Sequence, residues 1–91
     1  MIEITNKRSS FQVKNETEKL TLSGECTIDE QKMITSFNGS FTSEGNYVGS
    51  FYYNEIINGN INKNLNDIHN DIAEDACKLI DATVKEIKEN I

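Results

Sequence analysis

The residues able to do acid–base, metal or nucleophilic chemistry are few and scattered. The chain has one histidine, His69, and two cysteines, Cys26 and Cys77. The cysteine spacing matches no zinc or redox motif, and two free thiols are the simpler interpretation. Nucleophilic catalysis needs a histidine held against a serine or cysteine, and nothing in the sequence places His69 there. We therefore expect no catalytic residue, metal site or cofactor, and a protein that is not an enzyme.

Carboxylates recur at helical spacing near the C-terminus. They form an acidic face made of Asp67, Asp71, Glu74 and Asp81. Such a row could bind a cation or imitate the phosphates of a nucleic acid. A solvated face that pairs with Lys78 and Lys85 at i,i+4 spacing is the more common arrangement and the one we favour.

A second group of residues could line a ligand or partner surface. Ile34, Val48 and Tyr52 have the strand parity opposite to the predicted core, which indicates a small exposed apolar patch. Scattered surface apolar residues would look the same. The full group is Arg8, Ile34, Val48, Tyr52, Tyr53 and His69.

Composition narrows the class of protein. The 91 residues carry a formal net charge of −6, which argues against binding nucleic acid through its phosphates. No apolar run is long enough to span a membrane, and the first residues do not have the pattern of a signal peptide. These features predict a cytoplasmic protein with no membrane partner.

Hydrophobic periodicity predicts a single α+β domain over residues 1–91. Residues 1–54 alternate between apolar and polar types, which is typical of strands, and residues 60–91 have helical periodicity. The prediction is an antiparallel β-meander of four to five strands followed by one long C-terminal α-helix packed on the sheet. Residues 2–14 could form two strands or one bent strand.

Parity also predicts a strand register. Gly39 is expected opposite Gly49, and Phe37 opposite Phe51, with these residues under the helix. Two adjacent glycines would leave a notch that either the helix or a small ligand fills, and we favour the helix. The helix is expected to begin after an N-cap at Asn60 or Asn64.

The predicted helix carries two apolar stripes. The first suits packing on a sheet and contains Ile61, Leu65, Ile68, Ile72, Ala76, Leu79 and Thr83. The second alternates by four and three residues, as in a coiled coil, and contains Ala73, Cys77, Ile80, Val84, Ile87 and Ile91. Because no later segment exists to cover it, we expect the second stripe to form a homodimer or a higher homo-oligomer.

No sequence motif identifies the function, so three hypotheses stay open. The first is a binding protein that acts on another macromolecule, with a protein as the expected partner; its profile is similar to that of phage and mobile-element accessory or inhibitor proteins. The second is a small-ligand, nucleotide-like binder with a pocket at a dimer interface. The third is a purely structural or assembly protein.

Overall fold

The computed structural model describes residues 2–5, 10–56 and 58–91. It contains one sheet whose strands follow each other in chain order, every neighbouring pair being antiparallel. One helix, α1, follows the sheet. The elements are β1 (Ile2–Thr5), β2 (Ser10–Glu16), β3 (Thr21–Ile28), β4 (Ile34–Ser43), β5 (Asn46–Glu55), β6 (Ile61–Asn66) and α1 (Asn70–Asn90).

The predicted fold class is confirmed: an antiparallel meander precedes one C-terminal helix. The sheet has one strand more than predicted, because residues 61–66 form β6 and not the first turns of the helix. In this segment the larger side chains Ile61, Lys63 and Leu65 alternate with asparagines, a period of two that suits a strand. Asparagine is also a poor helix former, so the i,i+4 spacing of Ile61 and Leu65 misled the prediction.

The helix begins later than predicted, after an N-cap at His69 and not at Asn60 or Asn64. His69 has extended backbone angles, and its Nδ1 accepts a hydrogen bond of 3.2 Å from the Asp71 N–H. The side chain thus takes the role that serine or aspartate has at most N-caps. Asp67, with a φ of 59°, turns the chain between β6 and the helix.

The predicted faces are mostly right, but the predicted register is wrong. Gly39 lies opposite Phe51 and not Gly49, and Phe37 lies opposite Tyr53. Phe37 and Phe51 still share the inner face, with ring centroids 4.9 Å apart in an edge-to-face arrangement. The pairings of Gly39 and Phe37 each differ from the predicted ones by two residues. Because side chains alternate with a period of two, these shifts preserve the face.

Irregularities in two ladders bring residues into contact with the core that strict alternation places on the outer face. The β3–β4 ladder shifts so that Ile28 pairs with Ile34, and Ile34 is fully buried in the core. The β4–β5 ladder shifts so that Phe41 pairs with Gly49 while Thr42 pairs with Tyr47. Val48 is the extra residue of this bulge and packs partly against the core. A two-residue turn at Glu44 and Gly45, both with positive φ, closes the hairpin.

A glycine pair under the aromatic rings does exist, but it joins β3 to β4. Gly24 lies opposite Gly39. A Cβ on Gly39 would overlap the Ser23 carbonyl oxygen, and a Cβ on Gly24 would lie 3.2 Å from Phe51 Cζ. The space beside Gly49 is filled by Ile68. Atoms of the chain itself therefore fill the predicted notch. At Gly49 the residue that fills it is Ile68, which precedes the helix and is not part of it.

Residues from both apolar stripes of the helix contribute to the chain's own core. The buried helical residues are Ala76, Leu79, Ile80, Thr83 and Ile87. Ile80 and Ile87 are fully buried, so the expectation that nothing else covers the second stripe is wrong for its centre. Ala73, Cys77, Val84 and Ile91 are only partly buried.

Replacing Ile87 with alanine should therefore destabilise the monomeric fold. We expect a loss of about 2–5 kcal/mol in the free energy of unfolding, because the change leaves a cavity in the core. The half-buried neighbour Val84 is the control, and Val84→Ala should cost less than about 1.5 kcal/mol. Urea denaturation measures both, and equal losses would contradict the packing described.

The glycine pair provides a second test. Gly39→Ala should cost more than Gly45→Ala, because a methyl group at residue 39 meets backbone atoms, which cannot move aside cheaply. A methyl group at residue 45 meets nothing and incurs only the roughly 1 kcal/mol penalty of positive φ. Thermal unfolding of both variants should rank them in this order, and the reverse order would be inconsistent with the close approach of β3 and β4.

Candidate functional site

The outer face of the sheet lies opposite the face that carries the helix. The core, with the buried residues of α1, lies on the inner face. We define the outer patch as the outward-facing residues of β4, β5 and β6 in the regular rows of the ladder, up to the bulge at Val48. It consists of Ser36, Asn38, Ser40, Ser50, Tyr52, Asn54, Asn62, Asn64 and Asn66.

The ladder pairs place Tyr52 at the centre of the outer patch. Asn38 and Asn64 lie opposite Tyr52 on its two sides, and Ser40 lies opposite Ser50 in the next row. The Tyr52 side chain is exposed. Since directly opposite side chains lie about 5 Å apart, these residues form one continuous surface.

No member of the outer patch is charged, although charged residues make up 26% of the chain. Among the side chains that the structure describes, charges on the outer face lie on β2 and β3, where Lys14 pairs with Glu16 at 3.1 Å and Gln12 donates a hydrogen bond to Glu25. Depletion of charge is typical of the centre of a protein interface. Tyrosine, serine and asparagine together are typical of antibody binding loops, where tyrosine supplies rigid contact area and the others supply hydrogen bonds.

Asn54 adds an unsatisfied group to this surface. Its Oδ1 atom is buried and accepts no hydrogen bond from any described residue. A buried acceptor without a donor costs about 1–3 kcal/mol.

The structure separates most of the residues that the sequence had grouped as a ligand or partner surface. Tyr52 lies on the outer face, while Ile34 and Tyr53 are buried in the core. Val48 is half-buried in the bulge. His69 is exposed at the helix N-cap, and Arg8 lies outside the described residues. Only Tyr52 belongs to the outer patch.

The predicted acidic face does not present a row of free carboxylates. Asp71 lies 3.4 Å from His69, Glu74 lies 3.1 Å from Lys78, and Asp81 lies 2.6 Å from Lys63. Asp67 accepts a hydrogen bond of 3.4 Å from the Tyr47 hydroxyl. Within the described part of the chain no three histidine, cysteine or acidic side chains could hold a metal ion together. Of the pairings expected with Lys78 and Lys85, the structure has Glu74 with Lys78, whereas Asp81 pairs with Lys63 of β6.

A groove runs between the Thr17–Leu20 turn and the helix. Its volume is about 410 Å³, and it is lined in part by Leu20, Leu79 and Ala82. Lys19 and Asp75 form an ion pair of 3.6 Å beside it. The groove contains no cysteine, histidine or buried charge, so it offers contact area without evident chemistry.

A polar cluster around Glu55 ties the end of the helix to the sheet. Glu55 Oε1 accepts hydrogen bonds from the Ile34 N–H at 2.9 Å and from Lys88 Nζ at 2.6 Å. Glu55 Oε2 accepts a hydrogen bond of 3.1 Å from the Tyr53 hydroxyl. Lys88 Nζ also donates to the Lys32 carbonyl oxygen at 3.0 Å. The cluster joins β4, β5 and the turn before β4 to the last turn of α1.

The cluster shifts the pKa values of its members. Burial acts to raise the pKa of Glu55, but hydrogen bonds from Lys88, Ile34 and Tyr53 outweigh it and hold that pKa below its ordinary value. Burial, reinforced by the negative charge of Glu55, raises the pKa of Tyr53. The same two causes, burial first, raise the pKa of Cys26 to about 12. A thiol with this pKa stays protonated at neutral pH and is a poor nucleophile.

Both Glu55 and most of the outer patch were missed in the sequence, although each left a signal. Glu55 has the same parity as Phe51 and Tyr53, so it is a charged residue on the core side of a strand and needs a partner. The outer patch is visible as the absence of charge at alternate positions of β4 and β5. Asn64 of β6 was instead expected to be a helix N-cap.

Comparison of the chain with models of protein families, with curated proteins and with solved structures found no match. Over the described residues, no helix has both the length and the apolar character needed to cross a membrane.

The Glu55 cluster predicts a specific pH dependence. Because the folded-state pKa lies below the ordinary 4.5, the cluster stabilises the fold above that pH and loses its contribution as pH falls through the folded-state pKa. The free energy of unfolding of the wild type should therefore fall more steeply below about pH 5 than that of Glu55→Gln. Chemical denaturation across pH 3–7 measures both slopes, and parallel curves would show that Glu55 is not stabilised in the fold.

Proposed function

We propose that the protein is a non-enzymatic binding protein and that the outer patch docks another protein. The observation that carries this proposal is the uncharged, tyrosine-centred surface on the face of the sheet away from the helix. Buried centres of interfaces are depleted in charge because desolvating an unpaired charge is costly. The outer patch meets this requirement without any rearrangement of charged side chains.

The side chains of the outer patch are suited to tight contact. Serine and asparagine are short and lose little conformational freedom when a partner covers them. Tyr52 is exposed and flanked by Asn38 and Asn64 on the neighbouring strands. A central tyrosine ringed by small polar residues is a common arrangement for an interface hot spot.

Charge elsewhere on the chain favours a partner of opposite sign. The net charge of −6 resides outside the outer patch, on the helix, the turns and the first strands. Such a field speeds association with a basic protein and weakens as salt concentration rises. A basic partner protein is accordingly the class that we propose. The notch that was expected to hold either the helix or a small ligand is filled by Ile68 and backbone atoms.

The test uses two exposed tyrosines. The protein is purified under native conditions from the cells that produce it, as wild type, Tyr52→Ala and Tyr47→Ala, and retained proteins are identified by native mass spectrometry. Tyr52→Ala should weaken capture of the partner by about 30-fold, the effect of losing a hot spot of about 2 kcal/mol. Tyr47, which is more exposed and lies opposite Thr42 beyond the bulge at Val48, is the control at the end of the same face.

Circular dichroism should show that both variants keep the wild-type fold. Equal loss of the partner in both variants, or unchanged capture by Tyr52→Ala, would contradict the assignment of the outer patch. Retention of a small molecule in place of a protein would overturn the proposed function.

A further inference from the structure

The free edge of β6 is the least protected part of the sheet. β6 pairs with β5 on one side and with no described strand on the other. The opposite edge strand, β1, lies close to the helix. No residue of β6 is buried, and Ile61 is 48% exposed.

The backbone groups that point outward from β6 can be identified. The Ile56 N–H donates to the Asn60 carbonyl oxygen at 2.8 Å, and residues 56 and 60 continue the regular β5–β6 ladder. In an antiparallel pair, hydrogen-bonded and non-hydrogen-bonded positions alternate. Residues 62, 64 and 66 therefore bond to β5, and the N–H and C=O groups of Ile61, Lys63 and Leu65 point to the open edge.

Features that usually prevent edge pairing are largely missing from β6. The strand has no proline, and its ladder with β5 has no bulge, in contrast to β3–β4 and β4–β5. Its one charged residue, Lys63, is 22% exposed and held at 2.6 Å from Asp81 on the helix. The Lys63 side chain therefore lies over the inner face and does not block pairing at the edge.

We propose that β6 pairs antiparallel with β6 of a second copy of this chain, about a two-fold axis through Lys63. Ile61 then lies opposite Leu65 of the second copy, and Leu65 opposite its Ile61. All three outward-pointing residues find partners, which gives about six backbone hydrogen bonds. Because the paired residues share a face, the two sheets join with both helices on one side.

Self-complementarity is what favours a second copy over an unrelated strand. The register that satisfies every outward backbone group also pairs the exposed Ile61 with the half-buried Leu65 twice. It brings the two Lys63 side chains together, and the two Asp81 carboxylates balance their charge. The partner surface expected on the second helical stripe is thereby replaced by a contact made by the sheet edge.

The main test is sedimentation velocity of the purified chain over a range of concentrations. The wild type should be dimeric at about 100 µM and dissociate on dilution. Lys63→Pro removes an outward N–H without touching the β5–β6 bonds, and edge strands tolerate proline. This variant should be monomeric, whereas Lys63→Ala, which loses the same ion pair but keeps the N–H, should stay dimeric.

Asp81→Asn gives a second, independent prediction. The change lies on the exposed side of the helix and leaves two uncompensated lysines beside each other in the dimer. We expect roughly 10-fold weaker dimerisation or more, because like charges then meet at the interface. An unrelated strand as the natural partner would not show this effect.

Amide hydrogen exchange of the wild type tests the same contact without any substitution, so its result does not depend on whether a variant folds. The amides of residues 61, 63 and 65 should become protected as concentration rises, while those of 62, 64 and 66 should be protected throughout. A monomer at about 100 µM, or a dimer whose residue 61, 63 and 65 amides exchange freely, would overturn the proposal.

Discussion

One helix has to cover the inner face of a six-stranded sheet, and most of the structure follows from that constraint. The helix meets it with five buried residues on a wide stripe, and Ile80 and Ile87 are fully buried. Below it, the sheet supplies aromatic rings over a pair of glycines whose strands approach closely. Because the single described helix packs on one face of the sheet, the outer face and the free edge of β6 are left to solvent or to partners.

Polar contacts fix where the helix lies on this core. Asn15 Nδ2 donates to Thr83 Oγ1 at 2.9 Å, and Thr83 Oγ1 donates to the Leu79 carbonyl oxygen at 2.6 Å, so both buried polar side chains are satisfied. The Lys88–Glu55 and Lys63–Asp81 pairs tie the helix to β5 and β6. Apolar packing alone is non-directional, and these directional contacts select one orientation.

The sequence predicted the fold class and the faces because both depend on local periodicity. It failed on the β4–β5 register because the two-residue turn at Glu44 and Gly45 and the bulge at Val48 each shift the pairing by one residue, and neither leaves a periodic signal. The β3–β4 ladder contains another irregularity of this kind. That is why Ile34, placed outside by strict alternation, lies in the core. The start of the helix was misplaced because Ile61 and Leu65 fit a helix and a strand equally. Only part of the outer patch could be predicted. Tyr52 was identified from its parity, but its uncharged neighbours on β4 and β6 are brought beside it by strand pairing.

The central claim is that the helix covers the inner face and leaves the Tyr52 face open. Nuclear Overhauser effects between assigned protons test it most directly, because they report only short distances. The account predicts a cross-peak between the Asn15 side-chain amide and the Thr83 side chain, whose N and O atoms lie 2.9 Å apart. It also predicts no cross-peak between the Tyr52 ring and any helical residue of the same chain. Contacts from the Tyr52 ring to the helix, with none between Asn15 and Thr83, would contradict it.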